Sequence, residues 1–345
     1  MAKKIFYVGL SAILLFLTTQ SVQAGNKNRT ATAGAMELLI PVGGGSIAQS
    51  GANMASVEGL DALYWNPAGL ARSQKTEAMF SVLKYIAGIN VTYLGVGANF
   101  GGIGSFAFSI KSLDFGDIPV TTYFQPEGTG EYYSPSFIVA GLSYSRAMTN
   151  SIYFGLNAKV VSEQIERMSS TGLAFDLGLQ YKWKDTGLAF GIVMKNIGSS
   201  MNFDGSDTET FNTLEESDPG SKARPMRIVL QEFELPTSLE MSTSYKYSIG
   251  ESQFVTGSAA FQNFNYGYDK VRGGLEYGFQ NFFFVRGGYE YAMIGNDSQD
   301  NSIFGPTVGI GLNATPLGFD FQFDYTYRTV DFFDANQYFT VKVAF

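Results

Sequence analysis

Hydrophobic and polar positions alternate with a period of two along most of the chain beyond residue 77. Over 317–328, Phe319, Phe321, Phe323, Tyr325 and Tyr327 share one parity, and Gly318, Asp320, Gln322, Asp324, Thr326 and Arg328 the other. Successive side chains of a strand point to opposite faces, whereas a helix would mix the two sets around its circumference. The last segment repeats the pattern, with Phe339, Val341, Val343 and Phe345 against Tyr338, Thr340, Lys342 and Ala344. The same parity sets Leu173, Phe175, Leu177, Leu179 and Tyr181 against Asp176, Gln180 and Lys182. It also opposes Val271, Leu275 and Tyr277 to Lys270, Arg272 and Glu276, and Val285, Tyr289 and Tyr291 to Arg286 and Glu290.

Read this way, the chain holds fourteen strands, near 77–87, 90–100, 103–112, 135–147, 151–164, 170–184, 187–197, 237–248, 251–264, 268–278, 281–293, 303–314, 317–328 and 336–345. A soluble sandwich also alternates, but its apolar face would be rich in valine, isoleucine and leucine. Here that face is heavily phenylalanine and tyrosine, as expected of a lipid-facing band with aromatic girdles. The fold class is therefore all-β, a transmembrane antiparallel β-barrel. Lysine or arginine on its lipid face costs about 2–4 kcal/mol at mid-membrane, so Arg272 and Arg286 should point into the lumen. The connections agree. Gly101-Gly102, Thr149-Asn150, Asp185-Thr186, Ile249-Gly250, Gln280-Asn281 and Pro316 mark tight turns at every second connection. Long connections at 113–134, 198–236, 294–302 and 329–335 occupy the other parity, as outer loops do; the short one at Ala87–Ile89 breaks the trend.

Composition sharpens this. The 345 residues include 30 Phe, 20 Tyr and 40 Gly with only 16% charged side chains, yet mean hydropathy is near zero, because two opposite faces average out. Residues 1–24 read as a secretory signal: Lys3 and Lys4, an apolar run from Ile5 to Leu17, and a Val22-Gln23-Ala24 cleavage site. The net charge is −8, and −10 without that segment and its two lysines, which argues against a nucleic-acid partner. Absent cysteine excludes disulfides and thiolate metal sites, and absent histidine excludes most zinc sites and the usual general base of hydrolases. No catalytic residue, metal or cofactor is expected. Asp176, Arg272, Glu276, Arg286 and Glu290 read as a lumen charge network. The 198–236 loop, with Asp204, Asp207, Glu209, Glu215, Glu216 and Asp218 followed by Lys222, Arg224 and Arg227, reads as a cap or a partner-binding loop; its spacing does not fit a calcium loop. The Gly95-x-Gly97 and Gly102-x-Gly104 repeats lack a following helix and are assigned to barrel curvature rather than to a nucleotide loop.

Residues 25–76 do not alternate. They are rich in small residues (Gly34-Ala35, Gly43-Gly44-Gly45, Gly51-Ala52) and contain Trp65-Asn66-Pro67-Ala68, in which asparagine caps and proline starts a helical turn. Three parts follow: signal 1–24, an N-terminal hatch 25–76 inside the barrel, and the barrel 77–345. The runs Leu38-Leu39-Ile40-Pro41-Val42-Gly43, Ala62-Leu63-Tyr64-Trp65-Asn66-Pro67-Ala68-Gly69-Leu70, Leu113-Asp114-Phe115-Gly116-Asp117-Ile118-Pro119 and Gly187-Leu188-Ala189-Phe190-Gly191 to Lys195-Asn196-Ile197-Gly198 resemble the PorV/PorQ family, and the Asn-Pro-Ala element is shared with the FadL family of fatty-acid channels. The resemblance implies a FadL-like barrel with a hatch in the outer membrane of a Gram-negative bacterium. It implies an accessory role in type IX protein secretion, beside a large translocon barrel and cargo with a C-terminal sorting domain. The alternative is a FadL-like channel for hydrophobic small molecules, which requires an apolar pocket and a lateral opening.

Overall fold

The computed structural model describes residue 29 and residues 32–184, 186–212, 222–293, 302–315 and 320–345. The signal reading, Asp185, Glu215, Glu216, Asp218, residues 294–301 of one long connection, and Pro316, Gly318 and Phe319 lie outside the described residues. Fourteen long strands run in chain order: β1 Glu77–Lys84, β2 Asn90–Asn99, β3 Ser105–Asp114, β4 Ser136–Ala147, β5 Ile152–Ile165, β6 Met168–Lys182, β7 Leu188–Gly198, β8 Ser238–Ile249, β9 Gln253–Phe264, β10 Lys270–Phe279, β11 Phe283–Ala292, β12 Phe304–Asn313, β13 Phe321–Val330 and β14 Asn336–Ala344. Each pairs antiparallel with the next, and β1 pairs with β14 from Glu77↔Ala344 to Lys84↔Gln337, so the sheet closes into a barrel without an open edge. The period-2 reading finds all fourteen.

Burial is inverted relative to a soluble protein. On β13, Asp324, Thr326 and Arg328 are buried while Phe321 and Tyr327 are exposed. Leu142, Leu173, Ile192, Leu275 and Val308 extend the exposed apolar belt around the barrel. Such a belt on the outer wall of a closed barrel is the arrangement expected of strands that face hydrocarbon. Arg272 and Arg286 are buried and point inward, as the cost of a cation in lipid requires.

Turns at 100–104, 148–151, 250–252 and 280–282 lie at one end, and the connections 115–135 and 199–237 at the other. The length contrast is weaker than expected, because 166–167 and 265–269 at the long-loop end are short as well as 85–89. At 166–167 the strands pair up to Ile165↔Met168, and Glu166 takes a left-handed φ of 50° to reverse the chain. The 199–237 connection is more than a solvated cap. Met201 is fully buried and bridges Phe233, and 209–212 forms a hairpin with 224–227.

Residues 32–72 fill the lumen as short pieces: a 3-10 turn Met36–Leu39, helices α1 Gly44–Ile47 and α2 Ala62–Trp65, and a 3-10 turn Pro67–Arg72. Glycines on the inner wall make room for them. A Cβ on Gly155 would lie 2.2 Å from the Pro67 carbonyl carbon, and one on Gly178 would lie 2.1 Å from Asn66 Oδ1. Gly191, Gly274 and Gly288 likewise face Ala55 and Gln49 of the luminal segment. At Gly97 a Cβ would lie 2.9 Å from Ala107 Cβ and 3.0 Å from Leu60 of the segment, so close packing adds to curvature there, whereas at Gly95 it would rest in ordinary contact with Leu63 at 3.5 Å.

Candidate functional site

The luminal segment is built around Trp65-Asn66-Pro67-Ala68. Asn66 is fully buried. Its Oδ1 accepts from the Ala68 N–H at 3.2 Å, capping the turn that Pro67 begins. Its Nδ2 donates to the carbonyls of Met54 (3.3 Å) and Leu179 (3.2 Å), which ties the segment to β6. The Trp65 indole donates to the Val42 carbonyl at 3.0 Å, and the Ser145 hydroxyl of β4 donates to the Ala68 carbonyl at 2.9 Å.

Above this plug, at the long-loop end, lies a cavity of about 840 Å³. Its floor is the Met36–Leu39 turn with Ile40, Tyr64 and Trp65. Most of its wall is apolar, including Tyr85, Leu113, Phe115, Phe137, Phe233, Phe264 and Phe304. The channel alternative anticipated a pocket without naming these residues, because they come from connections and adjoining strand ends far apart in sequence. Burial pushes the Tyr85 hydroxyl up to about 12 and raises that of Tyr64 well above its usual range, so both stay neutral. The Tyr64 hydroxyl donates to the Leu39 carbonyl at 2.9 Å.

The single charge network expected from Asp176, Arg272, Glu276, Arg286 and Glu290 is three separate groups. The upper one faces the cavity: Arg272 pairs with Glu290 and Glu240, each at 2.8 Å. Lys195 reaches Glu240 at 3.1 Å, and Lys270 reaches Glu290 at 2.9 Å, with Arg328 at 3.5 Å. The lower group joins Arg286 to Glu276 and to Asp324, each at 2.6 Å, and adds Lys342, which pairs with Asp61 of the luminal segment. The third lies on another part of the wall: Asp176 holds Lys159 at 2.6 Å and accepts from the Asn196 N–H at 2.8 Å, at a bulge in β7. Register separates them, because Arg286 and Glu290 are both inward but four residues apart on β11, about 13 Å. Lys195, Glu240, Asp324, Arg328 and Lys342 were missed as partners, although inward parity marks Glu240, Asp324, Arg328 and Lys342. Among the described residues no cluster of three or more carboxylates is placed to hold a metal ion.

The barrel wall has one seam beside the cavity. Among the described residues β11 and β12 pair only from Phe283↔Leu312 to Gly288↔Thr307. Beyond that point β12 carries a bulge at Gly305–Pro306, and proline has no N–H to continue a ladder. Glu290 and Phe304, on either side of the unpaired stretch, both line the cavity.

No protein-family model matches this chain, and no curated protein does. Solved structures do resemble it. The CymD monoaromatic hydrocarbon channel is 14% identical, over 89% of this chain and 97% of CymD, with a TM-score of 0.54. The Pseudomonas putida toluene transporter TodX is 15% identical over 88% and 98%, with a TM-score of 0.54. The Ralstonia pickettii toluene transporter TbuX is 12% identical over 88% and 98%, with a TM-score of 0.53. These neighbours are channels and transporters rather than enzymes, and nothing in the likeness bears on the PorV/PorQ family specifically. At such low identity it is the architecture that is shared: this chain has the barrel fold of the FadL-like hydrocarbon channels.

Proposed function

We propose that the protein is integral to the outer membrane of a Gram-negative bacterium and admits hydrophobic small molecules to its lumen. The observation that carries this reading is the 840 Å³ cavity, apolar over most of its wall, at the long-loop end above a packed plug. Its size is that of a small-molecule site, and apolar burial supplies the affinity. The β11–β12 seam answers the requirement for a sideways route, and the shared architecture with hydrocarbon channels supports the same class of cargo. The charged wall is internally paired and sets one polar side of an otherwise apolar space.

The test is equilibrium binding of a polarity-sensitive naphthylamine dye to the purified protein, with toluene and a long-chain fatty acid as competitors. Saturable, competable binding is expected. Leu113→Trp, which fills cavity space, should weaken it about tenfold, roughly 1.4 kcal/mol, while the outward-facing Leu142→Trp should not. Non-saturable binding indifferent to both changes would reject the reading.

A second reading, accessory to type IX secretion with a translocon barrel and cargo as partners, draws on one observation. Tyr123, Phe124 and Phe332 are 93%, 89% and 96% exposed on the outer connections. Bare aromatics at loop tips suit a protein partner. Purification through an outer-loop tag should then recover a second barrel, and deletion of 200–230 should reduce cargo secretion.

A further inference from the structure

The Met36–Leu39 turn is attached to the wall differently from the rest of the luminal segment. Elsewhere the contacts are paired charges, such as Asp61 with Lys342, or neutral hydrogen bonds, such as those of Asn66. Here the Glu37 carboxyl, 2% exposed, faces the Glu163 carboxyl of β5, 4% exposed. Neither Glu37 carboxyl oxygen meets a side-chain donor, and nor does Glu163 Oε2. The nearby cation is Lys111 of β3, whose ammonium donates to the carbonyls of Glu37 (2.6 Å) and Ile40 (3.0 Å). The other polar groups at this point are the backbone N–H groups of Ala35 and Glu37, near the Glu163 and Glu37 carboxyls, and the Ser170 hydroxyl of β6, opposite Glu163 in register and without a partner. Around them stand Leu38, Val139, Val161, Ala174, Met201 and Leu235.

Two carboxyls in such surroundings cannot both be charged; one proton shared between them turns repulsion into a hydrogen bond. What the pair holds in place matters. Leu38, together with Tyr64, Lys195 and Asn196, lines both the large cavity and a pocket of about 30 Å³ that continues toward Asp176 and Lys159, so the turn forms part of the partition between them.

We propose that Glu37 and Glu163 form a proton-operated latch: one shared proton fastens the Met36–Leu39 turn to β5, and its loss frees the turn and joins the cavity to the space below. The latch is independent of what the cavity carries. Burial holds the Glu37 carboxyl above the usual carboxylate range, against the opposing pull of its own backbone N–H, of its bond with Glu163 and, least, of Lys111. The sign follows. A carboxyl raised in the folded protein is best accommodated at low pH, and its contribution is lost as pH climbs through the raised value. The turn is therefore fastened in acid and released toward the alkaline side.

The chain has no cysteine, so Met36→Cys gives a unique attachment point for a spin label on an exposed side chain. Label mobility is read in the full-length protein in lipid bilayers from about pH 5 to about pH 9, across which a raised carboxyl titrates. The mobile fraction is expected to rise several-fold with pH. In Glu163→Gln, whose carboxamide donates to Glu37 without titrating, the label should stay immobile throughout. Glu37→Gln makes the same prediction and serves if the first variant does not fold. No pH response in the parent would overturn the latch, and so would an unchanged response in the carboxamide variants, which would assign it to Lys111 instead.

Discussion

Of the three groups of buried ion pairs in the lumen, two are stacked one above the other, and they differ in what they touch. The lower cluster, Arg286 with Glu276 and Asp324, lies against the plug. A Cβ on Gly45 of α1 would lie 3.4 Å from the Arg286 guanidinium and 3.5 Å from Asp324, in ordinary contact, and Asp61 brings the plug's own charge to Lys342. The upper cluster around Arg272, Glu240 and Glu290 faces open space. The partners are also shared differently. Without Arg272, Glu240 keeps Lys195, and Glu290 keeps Lys270 and Arg328. Without Arg286, Asp324 keeps only Lys342 at 3.9 Å and a neutral bond from Gln322, and Glu276 loses its ion pair. One kind of interaction thus clamps an inserted segment below and stiffens a cavity wall above, and only the wall is redundant.

The largest effect should fall on the clamp. Arg286→Met strands a carboxylate that is 1% exposed, and removing one partner of a buried pair costs about 3–5 kcal/mol. Arg272→Met should cost only about 1–3 kcal/mol, the range for losing charged hydrogen bonds whose acceptors keep other donors. Urea titration of the protein refolded into lipid reads both. Equal losses would remove the distinction between clamp and wall.

A smaller effect separates the plug from the barrel that holds it. Asn66→Ala removes the cap of the Pro67–Arg72 turn and the side-chain bond to the Leu179 carbonyl, while the Met54 carbonyl keeps Gln180 Nε2 at 2.9 Å, for about 2 kcal/mol in all. The loss should appear as faster hydrogen exchange of the amides at 62–72, while β1 and β14 amides stay protected. Exchange that rises equally in plug and wall would mean that the two unfold as one unit.

How much of this could be read from the sequence follows from which periodicities the chain carries. A strand's faces repeat every second residue, so Phe323, Asp324 and Tyr325 announce strand, parity and lumen together. The Asn66–Pro67 start is legible for a similar reason: a cap is a local interaction whose donor and acceptor lie within a turn of each other. What parity cannot give is height. Arg286 and Glu290 are equivalent in an alternation pattern, and only the register with β10, β12 and their neighbours separates them into different clusters. Gly155 and Gly178 look like curvature until Pro67 and Asn66 are seen against them, since the collision is between residues far apart in sequence. Glu37 and Glu163 belong to the same class: neither has a local signal, and their meaning comes from being brought together at the edge of the cavity beside an apolar cluster.

The smallest predicted effect concerns the seam, where the upper wall departs from the lower. Below Gly288 and Thr307 the β11–β12 ladder is regular, and above them it stops beside the cavity. Proline is the chemical reason available at that point, since Pro306 lacks an N–H and fixes its own φ. Pro306→Val relieves both constraints, and a resumed ladder should add one hydrogen bond or so, about 1 kcal/mol. That is too little to move a urea midpoint decisively but enough to slow exchange of the Tyr289–Ala292 amides about fivefold. Slower exchange together with slower release of the dye from the cavity would make the seam an exit kept open by sequence. Slower exchange with unchanged release would make it a structural irregularity, and the cavity's contents would have to leave past the plug, which sets the latch at Glu37 and Glu163 in their path.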